Sequence, residues 1–417
     1  MKKELRGKLS LVMFLEYFTW GTWYVTLGTF LMETFQASAA QVGSAYANLS
    51  IAAAVSPIFV GMVADRYFSA QKVLGTLHLA GAVVLMVLGQ AASYGTFWWL
   101  LLLYTMLYMP TMALVNAITF RQLDDDGKTF PYIRVFGTVG WIAVGLLIGS
   151  LNLESSRMIF NFGAAASLLL GVVSFTLPDT PPVKTQSTDI LSLLGGEALV
   201  LFRKWSFVVF FLSSLAICIP LSFYYSFANP FLNDVGMANA AGKMTLGQVS
   251  EFLFLLVIPL AFRKFGIKAM LAVGIIAWIV RYVLFAYGGT DQGIWMLYAG
   301  ILLHGVCYDF FFVTGQLYVD NVAGKSIRNA AQGLITFATY GVGMLIGSHV
   351  AGLITARYAR QVGSAQQFDW QGVWLVPAAI ALVVLVLFIV LFRDPGRKTN
   401  AAGSFNEDKK ETKEYDN

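Results

Sequence analysis

Long apolar runs separated by short polar breaks fill this chain from about residue 9 to residue 392. A helix needs about twenty mostly apolar residues to cross a bilayer. Runs of that kind are read at 9–33, 41–64, 72–92, 96–120, 132–151, 156–177, 206–232, 243–262, 268–288, 293–320, 328–356 and 372–392. They do not alternate with period two, and they are too long for barrel strands. Backbone polar groups in lipid must bond within their own segment, which leaves helices. The pattern predicts an all-α membrane protein of twelve transmembrane helices in two six-helix bundles. The expected organisation is a first bundle over 1–177, a cytoplasmic linker over 178–205, a second bundle over 206–392 and a polar, disordered tail over 393–417.

Composition agrees with the pattern. Hydrophobic residues make up 57% of the chain and charged residues 12%, against roughly 25% charged in a soluble domain. Of the 28 Lys and Arg residues, Arg134 and Arg281 fall well inside predicted helices, and Arg157, Lys243, Arg357 and Arg360 fall at helix ends or in loops on one side. All the others lie on the opposite side. By the positive-inside bias that side is cytoplasmic, which places both termini in the cytoplasm and the protein in a bacterial inner membrane. Met1-Lys2-Lys3 and Ala37-Ser38-Ala39 imitate a cleavable signal, but the apolar stretch between them is too long and Glu16 interrupts it.

Several function classes fall away. The net charge of +5 comes from short loops rather than a basic stripe interleaved with aromatics, so no nucleic-acid partner is expected. Cys218 and Cys307 lie in apolar runs, and His78, His304 and His349 are isolated, so neither a disulfide framework nor a metal site is read. No phosphate-binding Gly-rich loop and no nucleophile–base set is present, which argues against an enzyme and against a cofactor. The chain is expected to work as a monomer.

Charge inside lipid is the next signal. A charged side chain at mid-bilayer costs at least about 2.5–3.5 kcal/mol on insertion scales. Glu16, Arg134, Glu251, Arg281 and Asp309 all fall inside predicted helices. Each is a candidate for function, or for a structural bond between helices. Arg134 is also placed to snorkel to the interface.

Short stretches carry a resemblance. Gly61-Met62-Val63-Ala64-Asp65-Arg66 after the second helix, together with the long central loop, resembles the major facilitator superfamily, whose halves contain inverted repeats. Within it, Trp20-Gly21-Thr22-Trp23, Tyr108-Met109-Pro110-Thr111, Phe130-Pro131-Tyr132-Ile133-Arg134, Gln248-Val249-Ser250-Glu251, Ala277-Trp278-Ile279-Val280-Arg281, Asp309-Phe310-Phe311 and Ala331-Gln332-Gly333 resemble, in order along the chain, the nucleoside:proton symporter family. The resemblance implies proton-driven import of nucleosides by alternating access.

It also gives the polar faces a meaning. Arg134, Thr138 and Trp141 share one face of the fifth helix, offering donors, a hydroxyl and a stacking plane to a base. Gln248 and Glu251 are neighbours on the eighth helix and suit a ribose diol. Tyr308, Asp309 and, one turn earlier, His304 mark the tenth. Asp309 is read as a substrate ligand, a proton carrier or a partner of Arg281. Glu251, Asp309 and Glu16 are the proton-coupling candidates, and Glu16 stands where the family pattern carries an amide. On the seventh helix Ser222, Tyr225 and Asn229 share a face, but Ser222 and Tyr225 replace the Gln and Asn of that pattern. The departure leaves a sugar or small glycoside as an alternative substrate. A membrane sensor that binds without transporting is a further alternative, and the absence of a sizeable cytoplasmic domain argues against it.

Overall fold

The computed structural model describes residues 3–59, 67–123, 129–182, 195–362 and 365–393. Three expectations fall wholly or partly outside these residues: the 61–66 loop motif, the middle of the linker (183–194) and nearly all of the tail. Among the described residues, eight helices are long and apolar enough to cross a membrane. One of them, Ala240–Tyr287, runs for 48 residues and is divided at Gly266, whose φ of 76° suits a residue without a Cβ. Gly324, with φ 70°, divides the tenth and eleventh spans in the same way. The remaining expected runs are traced by Lys3–Gly21 with Leu27–Phe35, by Ala39–Phe59 and by Met158–Ser174. Every predicted span therefore carries helix.

The helices sort into two groups. In the first half Lys3–Gly21 packs on Phe130–Ser150 and Met158–Ser174, and Ala70–Leu88 packs on Tyr94–Arg121 and Met158–Ser174. In the second half Trp205–Asp234 packs on Met344–Arg357 and Trp370–Leu391, and Ala240–Tyr287 on Ile294–Tyr308 and Trp370–Leu391. The halves meet where Ala39–Phe59 touches Met344–Arg357, where Phe130–Ser150 touches Ala240–Tyr287, and where Leu27–Phe35 touches Trp205–Asp234. Outward faces stay apolar and exposed, as at Val83, Met86, Leu146, Val172, Leu256 and Val390. Such a surface aggregates in water and is matched only by acyl chains.

Glycine sets the closest approaches, as is usual for helices in lipid. A Cβ on Gly140 would lie 2.3 Å from the Phe14 carbonyl oxygen, so the first and fifth spans touch backbone to backbone there. Gly140→Ala is expected to cost about 1–3 kcal/mol through overpacking against an atom that cannot move aside. A melting temperature in detergent equal to the parent's would show that the contact tolerates a methyl group.

The first span is not the unbroken helix expected. It opens into a turn over residues 22–26 before resuming at Leu27. Tyr46 repairs the opening: its hydroxyl donates to the Tyr24 carbonyl at 2.7 Å and accepts from the Gly28 N–H at 3.3 Å. Freed backbone groups at membrane depth need such partners.

The two ends of the bundle differ. One carries the loop around Glu154, Asn239 and the Ala359–Val362/Ala365–Phe368 hairpin, and is called here the hairpin end. The other carries the described parts of the linker. There the first half holds Asp179 through Gln71 at 2.7 Å, and that hydrogen bond holds the Asp179 carboxyl below its usual range. The second half holds Lys204, which donates to the Val322 carbonyl at 2.9 Å.

Candidate functional site

The Phe130–Ser150 helix is unbroken, so the spacing of Arg134, Thr138 and Trp141 keeps them on one face, each partly exposed. Helix Ala240–Tyr287 is likewise regular before Gly266, and it keeps Gln248 and Glu251 together and partly exposed. These faces belong to opposite halves, on two helices that pack against each other. The Glu251 side chain is 37% exposed although it lies in the middle of a span.

Aromatic rings surround this polar centre. The Arg134 guanidinium lies 4.2 Å from the Tyr17 ring centroid. Trp20 meets Trp141 edge-on at 5.3 Å and Tyr24 at 5.3 Å, and Tyr24 reaches across the halves to Tyr225 at 5.4 Å. On the other side Tyr308 packs on Phe312 at 5.3 Å and shares a hydrogen bond with the Tyr340 hydroxyl. Motif and spacing did not single out Tyr17, Tyr24 or Tyr340. Tyr17 adjoins Glu16 in the sequence, but its contact with Arg134 depends on the fit between the first and fifth spans.

Behind Glu251 stands a buried relay. Arg281 Nη1 donates to His304 Nδ1 at 3.1 Å. Guanidinium can only donate, so His304 accepts at Nδ1 and carries its proton on Nε2. That nitrogen faces Glu251 Oε2 at 3.9 Å. Tyr224 stabilises the set: Arg281 Cζ lies 3.4 Å from its ring centroid, and the ring stacks on His304 at 5.1 Å. His304 is 2% exposed, so it supports Glu251 from behind rather than lining the open space.

Asp309 is not paired with Arg281. It is 1% exposed, and neither carboxyl oxygen has a hydrogen-bond partner among the described residues. It begins a π-helical turn, Asp309–Val313. A second π turn, Phe337–Gly343, contains Tyr340. The wider turn adds a residue and rotates the helix beyond it, so α spacing does not predict where Phe312 and Gln316 point relative to Asp309. Phe312 is half-buried beside Tyr308, while Gln316 is exposed. Such π turns recur at functional sites.

Three expected site residues are engaged elsewhere. Glu16 is fully buried in the first half, bonded to His78 Nε2 at 2.9 Å and Thr111 Oγ1 at 2.7 Å, with Ser167 on the far side of the imidazole at 2.9 Å. These contacts bond the first span to its neighbouring helices. Ser222 is fully buried, donates to the Cys218 carbonyl at 2.8 Å and faces Gly347. It does not line the polar centre here. Asn229, also fully buried, accepts from Thr29 at 2.6 Å and donates to Glu154 at 2.7 Å, toward the hairpin end. Of the seventh-span trio only Tyr225 reaches the centre. No group of three potential metal ligands occurs among the described residues.

Comparison with known proteins places this arrangement. The chain is similar to YegT of Escherichia coli K12, 43% identical over 95% of both chains. It is 33% identical to the nucleoside permease NupG of the same organism, over 94% of this chain and 96% of the relative. It is 34% identical to the E. coli xanthosine permease, over 93% and 95%. The crystal structure of NupG superposes with a TM-score of 0.85 at 32% identity, covering 94% of this chain and 99% of that one. A D-xylose–proton symporter at 13% identity shares the fold, with a TM-score of 0.72. The profile of the nucleoside H+ symporters matches residues 1–397, and the chain belongs to that family.

Proposed function

We propose that the space between the halves is the nucleoside site of a proton symporter that works by alternating access. The carrying observation is the pair of polar faces, Arg134 with Thr138 and Gln248 with Glu251, set in opposite halves inside an aromatic lining. A nucleoside has the chemistry this lining meets. The base offers a flat π surface to Trp141, Trp20 or Tyr225 and polar edge atoms to Arg134 and Thr138. The ribose diol offers two hydroxyls to the Glu251 carboxylate, with Gln248 beside it. A ligand touching both faces draws the halves together, so it favours closure by contacts made only when they approach.

Asp309 carries the proton in this reading. A buried carboxylate without a partner is costly, and a bound proton removes the charge. Its place one residue after Tyr308 couples it to the wall of the site. The hairpin end faces the outside, because the basic residues concentrate at the other end.

The test is uptake of labelled nucleosides and free sugars into proteoliposomes, with and without an inward proton gradient. Nucleosides are expected to accumulate only with the gradient, and a protonophore should release them. Accumulation of a sugar with no response to any nucleoside would overturn the substrate. Equal nucleoside uptake under both conditions would overturn the coupling.

A further inference from the structure

We infer that Glu154 is the latch of the hairpin-end gate, a residue of the transport cycle that touches neither substrate nor coupling proton. The inference rests on the alternating-access reading above. Glu154 lies in the loop after Phe130–Ser150, in the first half, and is 7% exposed. Its carboxylate accepts three hydrogen bonds, all from the second half. Asn229 Nδ2 and Asn233 Nδ2 each donate to Oε2 at 2.7 Å, and the Ala241 backbone N–H donates to Oε1 at 2.9 Å. Asn229 closes the circuit by accepting from Thr29 of the first half at 2.6 Å.

This polar knot lies where the halves are tightest. A Cβ on Gly149 would lie 1.9 Å from Asn239 Oδ1, and one on Gly28 would lie 2.5 Å from the Ser226 carbonyl oxygen. Gly43 meets the Ser348 carbonyl oxygen at 2.3 Å on the same test. No side chain fits in these gaps, so they close completely. The knot also marks the outer limit of the seal, because Thr29 and Asn233 line a cleft at the hairpin end together with Glu33, Gln36, Asp234 and Trp370.

Rocking the halves apart at this end must break all of these bonds at once, since the three donors to Glu154 move away with the second half and Thr29 stays behind with the first. Charge-assisted bonds to a carboxylate are stronger than bonds to a neutral amide. Glu154 therefore weights the cycle toward the state closed at the hairpin end. Glu154→Gln keeps the shape but removes the charge, and sets an amide N–H₂ group against an asparagine N–H₂ group. Exchanging the pair, Glu154→Gln with Asn229→Asp, restores one carboxylate facing one amide.

The reporter is Ser226→Cys, a small change at a side chain that is 1% exposed and has no hydrogen-bond partner, one turn deeper than Asn229. Cys218 and Cys307 are themselves buried, and the chain without the reporter gives the background. A membrane-impermeant maleimide is added to intact cells, and the rate of modification at position 226 is read. Glu154→Gln is expected to raise that rate about tenfold, and the exchanged pair to return it to within about twofold of the parent. An unchanged rate in Glu154→Gln overturns the latch, and so does a raised rate that the exchange fails to restore. Nucleoside binding by calorimetry on the same purified variants separates the two readings. Loss of all nucleoside heat with the labelling response intact sinks the site and leaves the latch standing.

Discussion

Glu251→Gln is expected to weaken nucleoside binding by about ten- to a hundredfold. The substitution keeps length and shape and removes the acceptor charge, worth roughly 1.5–3 kcal/mol in a hydrogen bond to a charged group. The side chain has no other partner strong enough to mask the loss: His304 Nε2 stands 3.9 Å away, beyond hydrogen-bond range. If the ribose diol is what the carboxylate holds, a 2′,3′-dideoxy nucleoside binds the parent weakly and loses little further affinity in the variant. Calorimetry with both ligands on both proteins makes the comparison. Equal affinity of parent and variant for the full ribonucleoside would remove Glu251 from the site. An equal loss for both ligands would move its contact from the sugar to the base.

Asp309→Asn is expected to abolish accumulation while leaving binding in place. One proton moving down about 100 mV supplies about 2.3 kcal/mol, which supports roughly fiftyfold accumulation. Without the carrier the internal concentration rises only to the external one, so the steady-state ratio should fall by that factor. Counterflow of labelled nucleoside, which needs no net proton movement, should persist. The neutral amide suits a position where both carboxyl oxygens lack a partner, so the variant is not expected to unfold. Gradient-driven accumulation at the parent's level would transfer the proton to another carboxyl group. Glu16 is poorly placed for it, because its oxygens are already occupied by His78 and Thr111.

Glu251 stands in front of a buried pair that Asp309 does not join. His304 receives Arg281 on one nitrogen and presents the other toward Glu251, so its tautomer depends on a residue that does not line the site. The seventh span shapes the wall as well. Ser222 is withdrawn into the packing against Gly347, and Tyr225 projects toward Tyr24. A ring at that wall offers stacking and a single hydroxyl.

Much of this was legible in the residues alone, because lipid permits so few solutions. A run of twenty apolar residues in a bilayer must close its backbone hydrogen bonds internally, and the helical class of the fold derives from that. Where a helix runs unbroken, side-chain spacing also reveals faces, and the Arg134–Thr138–Trp141 and Gln248–Glu251 sets were readable for that reason. Tertiary structure decided the rest, and it did so at two kinds of place. The helical rule itself fails at the turn over 22–26 and in the π segments at Asp309–Val313 and Phe337–Gly343, so spacing no longer predicts direction. Partner choice between buried polar groups is the other. Glu16 with His78, Arg281 with His304, and Glu154 with Asn229 are 62, 23 and 75 residues apart in sequence. Nothing local distinguishes a carboxyl group that will be satisfied by a neighbouring helix from one left open to a ligand. The difference is made by which helix packs beside it, and that is a property of the assembled bundle.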